Sequence, residues 1–462
     1  MNTHKRLIFS VLIAASIAIT AFGQKHRVQH TFSLGKSEFL LDNTPFQIIS
    51  GEMHPARIPA GYWKNRIQMA KAMGCNTITV SLFWNYYETA DGVFDFSTDN
   101  RNLAEFIRLV HDEDMWLIVR PGPYAGAGWE LGGVPPYLLR IPDIKLRWMD
   151  PRYMASAERY IGKLAAELKP GLITNGGPIL MLQIENEYGS VGNDSNYLGR
   201  IKEIWTANGI DVPYSTGEGP ATTLLEAGCL ARWGEKLACP DSAGLLREVK
   251  SLMDNKKSFN LYVINGGTNF GYTAGANSGG KGYEPDVTSY DYDAPVNEQG
   301  RATPKYMALR KLIGSYLPKG KKLPPVPDPI PAIELPGMGL SQFTSVWDNL
   351  PEPVNSDQPK PFEALNQDYG FILYTTELAD HKKGRLTVTD LHDYATVFLN
   401  GEFIGTLDRR EGINSIDIPE SKAEHPVLEI LVEAMGRINF AQDMIDRKGI
   451  TERVTLDDTT LM

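Results

Sequence analysis

Residues 176–189 read GGPILMLQIENEYG, and the interpretation of the whole chain starts from this stretch. Two glycines and a proline precede the apolar run 179–184, which is typical of a strand buried on both faces. The run ends abruptly at residues 185–187, which read Glu-Asn-Glu. Parallel α/β barrels present their chemistry at the carboxyl ends of such strands, so this stretch predicts a site that contains carboxylates. An acidic surface turn is the alternative, and it is disfavoured because the strand is too apolar for a sheet edge.

Apolar runs and helical segments alternate through the first 316 residues. Barrel strands are predicted at 48–50, 77–83, 115–119, 179–184, 212–216 and 259–264, and helices at 62–73, 103–111, 153–168, 197–207, 245–253 and 306–316. The alternation predicts an α/β fold, a parallel (β/α)8 TIM-type barrel over residues 24–316. Residues 217–241 show no convincing buried strand, so two of the eight strands are predicted to be missing.

The composition changes after residue 316. Residues 317–362 are rich in proline and predict an extended linker. Short alternating strands follow, and Asn400-Gly401 between two of them predicts a hairpin. Residues 363–462 therefore predict a β-sandwich of jelly-roll type, of which the chain has room for only a part.

Composition and the N-terminus indicate where the protein works and exclude some partners. The net charge of -10 argues against a nucleic-acid partner. Residues 1–23 combine basic side chains with an apolar run and predict a signal peptide, cleaved near Gln24, rather than a membrane anchor. We therefore expect an exported protein, periplasmic or extracellular, without a stable membrane anchor.

The three cysteines indicate neither a disulfide framework nor a zinc site. Cys75 is expected to be a small buried residue between a helix and a strand. Cys229 and Cys239 could pair across a short loop, although two free thiols are the simpler expectation. No metal and no organic cofactor is predicted.

Aromatic and polar side chains gather after successive strands. A retaining glycosidase needs two carboxyl groups about 5 Å apart, one to protonate the leaving oxygen and one to attack the sugar. Aromatic rings stack on sugars, and Asn, Asp and Tyr bind hydroxyl groups. The predicted rim carries Trp84, Asn85, Tyr124, Trp129, Glu130, Asn186, Asn269, Tyr272, Tyr290, Asp291 and Tyr292. Together they favour a carbohydrate cleft with an oligo- or polysaccharide substrate.

Several longer motifs resemble glycoside hydrolase family 35, the β-galactosidase family. They are GEMHPARIP (51–59), FWNYYE (83–88), RPGPYAGAGWELGG (120–133), GGPILMLQIENEYG (176–189), GGTNFGYTAGANS (266–278) and TSYDYDAPVNE (288–298). The resemblance covers residues 35 to 320. It implies an exo-acting, retaining glycosidase that hydrolyses terminal non-reducing β-D-galactose.

The resemblance also implies roles for individual residues. Glu187 matches the general acid/base and Asn186 the residue that binds the hydroxyl next to the reacting carbon. Tyr272 and Tyr292 match tyrosines of the galactose pocket, and Ala127 lies in the pocket loop. Strand periodicity alone cannot choose between Glu185 and Glu187. The family pattern leaves Glu185 as a supporting residue that pairs with an arginine of the rim.

Two departures from the family pattern affect catalysis and specificity. The family nucleophile is a glutamate at the end of strand seven, and Leu224 stands at its offset from Gly228. Glu226 lies two residues away in a helix-like context and is not expected to replace it, so the nucleophile is not identified. The pocket loop reads Gly-Ala-Gly at 126–128 where the family has Cys-Ala-Glu, and Ser81 replaces a tyrosine.

These observations leave three hypotheses. The chain is a β-galactosidase-type glycosidase, impaired by an internal deletion over the nucleophile strand, or a relative with another exo-glycosidase specificity. The second hypothesis is a non-catalytic protein that binds glycans. The third is a gene remnant that does not fold.

Overall fold

The computed structural model describes residues 29–36, 38–190, 192, 194–216, 222–236, 242–279, 282–378, 383–440, 444–457 and 459–461. The predicted signal peptide, residues 1–23, lies outside the described residues, and so does Cys239. In the ranges just given, no helix is both long enough and apolar enough to cross a lipid bilayer.

A seven-stranded parallel sheet is the centre of the first domain. Its strands are β1 (Ile49–Met53), β2 (Thr77–Ser81), β3 (Trp116–Gly122), β4 (Ile179–Ile184), β5 (Tyr214–Ser215), β6 (Thr222–Glu226) and β7 (Ser258–Tyr262). The strands lie in the order β5-β4-β3-β2-β1-β7-β6. The sheet confirms the prediction of a parallel α/β barrel architecture. It is open between β5 and β6, because no described strand pairs with their outer edges.

The sixth strand in chain order corrects the sequence analysis. No buried strand was expected between 217 and 241, but β6 pairs in parallel with β7 from Thr222 to Glu226. The expectation was wrong because β6 is short and only Leu225 in it is buried. Backbone hydrogen bonds rather than an apolar run hold this strand. Glu226 therefore ends a strand, and its predicted helical context was also wrong.

Helices between the strands cover the sheet. They are α1 (Trp63–Met73), α2 (Trp84–Tyr87), α3 (Leu103–Asp112), α4 (Pro151–Leu168), α5 (Ser195–Ala207), α6 (Ser242–Asp254) and α7 (Pro304–Gly314). Local signals explain their ends: Gly74 ends α1 in the left-handed region, at φ 113°, and Asn102 caps α3 by accepting from Glu105 N. Their apolar faces bury one continuous core with β4, and Cys75 is buried in it as predicted.

Shorter strands form small sheets around the barrel. They are Phe32–Leu34, Phe39–Leu41 and Thr44–Phe46; Glu88–Ala90 and Val93–Phe94; Gly267–Thr268 and Ser289–Tyr290; and Ala276–Gly279, Gly282–Pro285 and Ile438–Phe440.

The C-terminal region forms two four-stranded sheets. Their strands are β8 (Phe371–Glu377), β9 (Gly384–His392), β10 (Tyr394–Leu399), β11 (Glu402–Asp408), β12 (Ser415–Ile418), β13 (Val427–Glu433), β14 (Gly449–Leu456) and β15 (Thr459–Thr460). One sheet has the order β8-β13-β10-β11 and the other β12-β9-β14-β15, and both contribute to a single core. Asn400 and Gly401 have positive φ and connect β10 to β11, so the predicted hairpin is confirmed.

The β domain docks on loops at the carboxyl end of the barrel strands. The strand Ile438–Phe440 pairs with Ala276–Gly279 of the barrel, and Asn439 O accepts a hydrogen bond from Tyr124 Oη. Arg437, which is 1% exposed, donates to Glu130 of the barrel and to Glu363 of the β domain, at 2.6 Å each. The second domain therefore contacts the loops around the candidate site and holds them in place.

Candidate functional site

The end of β4 separates its two glutamates into different environments. Glu185 and Glu187 both have positive φ, 59° and 47°, so the chain leaves the strand direction at this point. Glu185 is buried and receives hydrogen bonds from Arg147 Nη2 at 2.8 Å and from the Tyr197 hydroxyl at 2.7 Å. This confirms the prediction that Glu185 pairs with an arginine of the rim.

Glu187 is accessible, in contrast to its neighbour. Its side chain is exposed, and no hydrogen bond joins its carboxylate to another residue in the described ranges. A general acid must reach the leaving oxygen of a substrate. Of the two carboxylates at the end of β4, only Glu187 can do so.

A buried network inside the barrel holds Asn186. Arg120 Nη2 donates to Asn186 Oδ1, and Arg120 Nη1 lies 2.8 Å from both carboxylate oxygens of Glu52. Ser81 and Asn260 also donate to Glu52, at 2.7 and 2.8 Å. Asn186 is thereby oriented by side chains from β1, β2, β3 and β7.

Glu52 carries a negative charge beneath the site. Burial alone would raise its pKa, but Arg120 and the hydrogen bonds from His54 and Ser81 lower the pKa of Glu52 to about 2. A buried charge that loses its partner is destabilising by about 3–5 kcal/mol. The Glu52–Arg120 pair is therefore both a structural element and a fixed electrostatic feature of the site.

Three of the predicted substrate-binding residues, one of which is Asn186, come together. The loop 126–128 approaches it, since a Cβ placed on Gly126 would lie 3.1 Å from Asn186 Nδ2. Ala127 and the half-buried Tyr292 both pack against the buried cluster that contains Tyr262 and Tyr290. The structure thus brings Asn186, Ala127 and Tyr292 to one place.

Tyr272 lies apart from this group. It is 51% exposed, and its ring stacks on Tyr369 of the β domain with 5.8 Å between ring centroids. Its role in sugar binding stays a prediction.

Most of the other predicted rim residues pack instead of facing an open cleft. Trp129 stacks on Phe83 at 3.9 Å, Trp84 stacks on Tyr160, and Glu130 pairs with Arg437. Their contribution is to hold the loops of the site in place.

Glu226 is a carboxylate of the site that the sequence analysis set aside. It is the last residue of β6, and its carboxylate accepts a hydrogen bond from the Tyr292 hydroxyl. The side chain is exposed. Loss of water around its carboxyl group nevertheless raises the pKa of Glu226, and the charges of Glu52 and Glu187 raise it further. The hydrogen bond from Tyr292 and the charge of Arg120 lower this pKa. The signal in the sequence was weak: two threonines before two leucines, with a glutamate at the end.

Asp286 is a second acidic residue that the sequence analysis missed. It is 4% exposed, and neither of its carboxyl oxygens has a hydrogen-bond partner in the described part of the chain. Burial raises the pKa of Asp286 to about 7, although Arg57 and Arg232 act in the opposite direction. A Cβ placed on Gly128 would lie 3.0 Å from Asp286 Oδ2, so this carboxyl group borders the pocket loop.

Among the described residues, no group of three or more His, Cys, Asp or Glu side chains is arranged so that it could hold a metal ion. No disulfide joins Cys75 to Cys229. The pairing of Cys229 with Cys239 is not tested, because Cys239 lies outside the described residues.

The sequence was compared with protein families, curated proteins and solved structures. Residues 38–227 and 213–316 match the family "Glycosyl hydrolases family 35", and residues 359–462 match "Beta-galactosidase, first all-beta domain". A protein from Xanthomonas manihotis named "Beta-galactosidase" is 35% identical over 494 residues, covering 98% of this chain and 82% of the relative. "Beta-galactosidase 8" from Oryza sativa subsp. japonica is 33% identical over 519 residues, covering 98% and 76%.

A β-galactosidase structure from Bacillus circulans sp. alkalophilus is a distant structural neighbour. It has 11% identity and a TM-score of 0.41, and the similarity covers 58% of this chain and 55% of that chain. The sequence matches are much stronger, because they extend over both domains. On their strength, this chain belongs to glycosyl hydrolase family 35.

Proposed function

We propose that this chain removes terminal, non-reducing β-D-galactose from oligo- or polysaccharides by a retaining mechanism, with Glu187 as general acid/base. One observation carries the proposal: Glu187 is the accessible carboxylate at the end of β4 and follows Asn186 in the chain. The carboxylate of Glu185, in contrast, accepts hydrogen bonds from Arg147 and Tyr197. The names of the Xanthomonas and rice relatives support galactose as the sugar.

We also propose that part of the barrel is missing and that turnover is slow for this reason. Only residues 216–221 connect β5 to β6, whereas a crossover between parallel strands usually takes at least about 10 residues. The two family matches overlap at 213–227, around this connection. The alignment with the Xanthomonas relative also extends over 494 residues, more than the 462 of this chain, which supports a deletion.

The proposal is tested with two aryl galactosides and two proteins. Wild type and Glu187→Gln are compared on 4-nitrophenyl and 2,4-dinitrophenyl β-galactoside. Loss of a general acid typically costs about 10²–10⁴-fold in rate. We expect this loss in kcat/KM, which reports the first step, only for the mononitrophenyl substrate, whose leaving group needs a proton. Equal rates for wild type and variant on both substrates would contradict the role of Glu187.

A second candidate function is glycan binding without catalysis. The observation that favours it is the hydrophobic Leu224 at the offset of the family nucleophile, together with the open edge of the sheet. Titration calorimetry with lactose separates the two functions. Heat of binding without any release of galactose supports a binding protein, and release of galactose excludes one.

The identity of the sugar needs its own test. The family tyrosine on the second strand is Ser81 here, whose hydroxyl donates to Glu52 and is buried. Asp286 borders Gly128, where the family has a glutamate. A panel of nitrophenyl β-glycosides should show the highest kcat/KM for the galactoside. A higher value for another sugar would favour a different exo-glycosidase specificity.

Export is the last part of the proposal. The basic and apolar residues of 1–23 support it. In a bacterial host that secretes the full chain, the N-terminal sequence of the exported protein should begin near Gln24. Retention of residues 1–23 in the membrane fraction would contradict cleavage.

A further inference from the structure

The open side of the barrel carries a carboxylate in the place where a nucleophile is needed. The reaction proposed above requires a second carboxyl group that faces the sugar opposite the acid/base. We infer that Glu226 is this nucleophile, an inference that rests on the proposed function. The family pattern would put the attacking group at position 224, which is a leucine here. The inference assigns it to Glu226, two positions further along the strand.

The strand register places Glu226 at the correct edge of the sheet. β6 pairs in parallel with β7 along its whole length, so that Glu226 lies beside Tyr262. β7 in turn pairs with β1, with Leu261 beside Gly51, which sets Tyr262 level with Glu52. Glu226 thus lies at the level of the Glu52–Arg120 network that orients Asn186.

Strand alternation turns the side chain of Glu226 toward the pocket. Leu225 is buried in the core with the helices, whereas Leu224 packs against the cluster that contains Tyr262 and Tyr290. Residues two apart in a strand point to the same side. Glu226 therefore shares the face of Leu224, and its hydrogen bond with Tyr292 confirms this orientation.

The electrostatics of the site connect Glu226 to the acid/base. Glu187 and Glu52 both raise the pKa of Glu226, so both lie close enough for their charge to act on its carboxyl group. Tyr292 donates to the carboxylate and favours the ionised form, which is the form that attacks. The side chain is also open to a cavity of about 390 Å³, lined in addition by Glu248 and Lys305.

The distance along the strand explains slow turnover. Two residues in a strand span about 6.6 Å, so Glu226 lies closer to the rim than the family position, Leu224. Galactose must then bind closer to the rim, with fewer contacts to the loop 126–128. We therefore expect a working nucleophile in a poorly matched pocket.

The chemical steps balance with the two glutamates alone. A carboxylate oxygen of Glu226 attacks the anomeric carbon, the bond from that carbon to the leaving oxygen breaks, and Glu187 gives its proton to that oxygen. The product is a galactosyl ester of Glu226. Water then attacks the anomeric carbon, Glu187 takes its proton, and the ester bond breaks to release galactose and the Glu226 carboxylate.

Covalent labelling tests the inference directly. The full chain is incubated with 2-deoxy-2-fluoro-β-galactosyl fluoride, digested and analysed by mass spectrometry. We expect the fluorogalactosyl label on Glu226. A label on any other residue overturns the inference while the proposed function stands. No label and no turnover by wild type overturns both.

Azide provides an independent test with matched controls. Glu226→Ala should lose hydrolysis of 2,4-dinitrophenyl β-galactoside, and azide should restore it with α-galactosyl azide as product, because azide takes the place of the nucleophile. Glu187→Ala with azide should give the β anomer instead. Glu203→Gln, which changes an exposed glutamate of α5 outside this cavity, should keep the wild-type rate.

The outcomes of the azide test are decisive. Unchanged hydrolysis by Glu226→Ala overturns the inference, and so does a loss that azide does not restore in a variant with wild-type circular dichroism and melting temperature.

Discussion

Asp286 is a single residue whose ionisation should contribute to the pH dependence of stability. Its carboxyl group is buried, and burial raises its pKa to about 7 from an ordinary value of 3.8. The folded state therefore holds the proton over a range where the unfolded chain has lost it. The contribution of Asp286 to stability should be fully present below about pH 4, decrease as the pH rises to 7 and then stay constant.

We predict that Asp286→Asn removes this pH dependence. One pKa unit corresponds to about 1.4 kcal/mol, so the wild type should lose at most about 4 kcal/mol between pH 4 and pH 8 relative to the variant. The measurement is the free energy of unfolding in urea for both proteins at both pH values. A constant difference between the two proteins would show that Asp286 is ionised throughout.

Glu185 and Glu187 show what a sequence can predict about single residues. The apolar run before them predicted the strand, and the run of charges predicted the site. The two residues are two positions apart and so fall on the same side of a strand. The alternation of a strand therefore could not distinguish the buried carboxylate from the accessible one. The difference arises from Arg147 and Tyr197, whose positions depend on the loop before α4 and on α5. Only the family resemblance indicated Glu187 beforehand.

At the scale of elements, β6 determines which carboxylate can act. Leu224 and Glu226 lie on the same face of this strand, and Leu224 is the one that packs against the pocket tyrosines. A carboxylate at 224 would attack from the position that the family uses. The backbone of β6 should tolerate the exchange, since backbone pairing with β7 holds the strand.

We predict that Leu224→Glu restores hydrolysis to the inactive Glu226→Gln protein. The double variant should release nitrophenol from 4-nitrophenyl β-galactoside faster than Glu226→Gln alone, because it returns a nucleophile to the deeper position. Leu224→Gln with Glu226→Gln is the control, since it has the same shape without the charge. Equal rates for the two double variants would show that position 224 cannot reach the sugar.

The comparison of β4 with β6 shows why some elements can be predicted and others cannot. All six residues of β4 are apolar except Gln183, and the strand is covered on both sides. β6 has one buried residue, and its partner β7 follows in the chain only after 31 residues, so local composition carries little information. Half-exposed strands at an open edge are defined by pairing, which short-range patterns do not contain.

At the scale of the whole molecule, the β domain contacts the barrel residues that surround the candidate site. The Tyr124 hydroxyl donates to Asn439 O of the β domain, and the Tyr124 ring lies 3.7 Å from the Arg147 guanidinium. Arg147 in turn pairs with Glu185, two residues before Glu187. The sequence predicted two domains but not this contact, because its members are more than 300 residues apart in the chain.

Arg437 is the charge that joins the two domains, and we predict a large loss of stability when it is replaced. Arg437→Met keeps an unbranched apolar stem but leaves Glu130 and Glu363 buried without their common partner. Removal of one member of a buried ion pair typically costs about 3–5 kcal/mol. Urea unfolding should show this loss, while Arg453→Met, at an exposed arginine of β14, should unfold like the wild type.

The same variant tests whether domain docking matters for catalysis. If the β domain holds Tyr124 and the loops of the site, Arg437→Met should lose galactoside hydrolysis at urea concentrations below its main unfolding transition. Tyr124→Phe should weaken the contact more mildly, because it removes only the hydrogen bond to Asn439 O. Full activity of Arg437→Met up to global unfolding would show that the barrel positions Glu187 without help from the second domain.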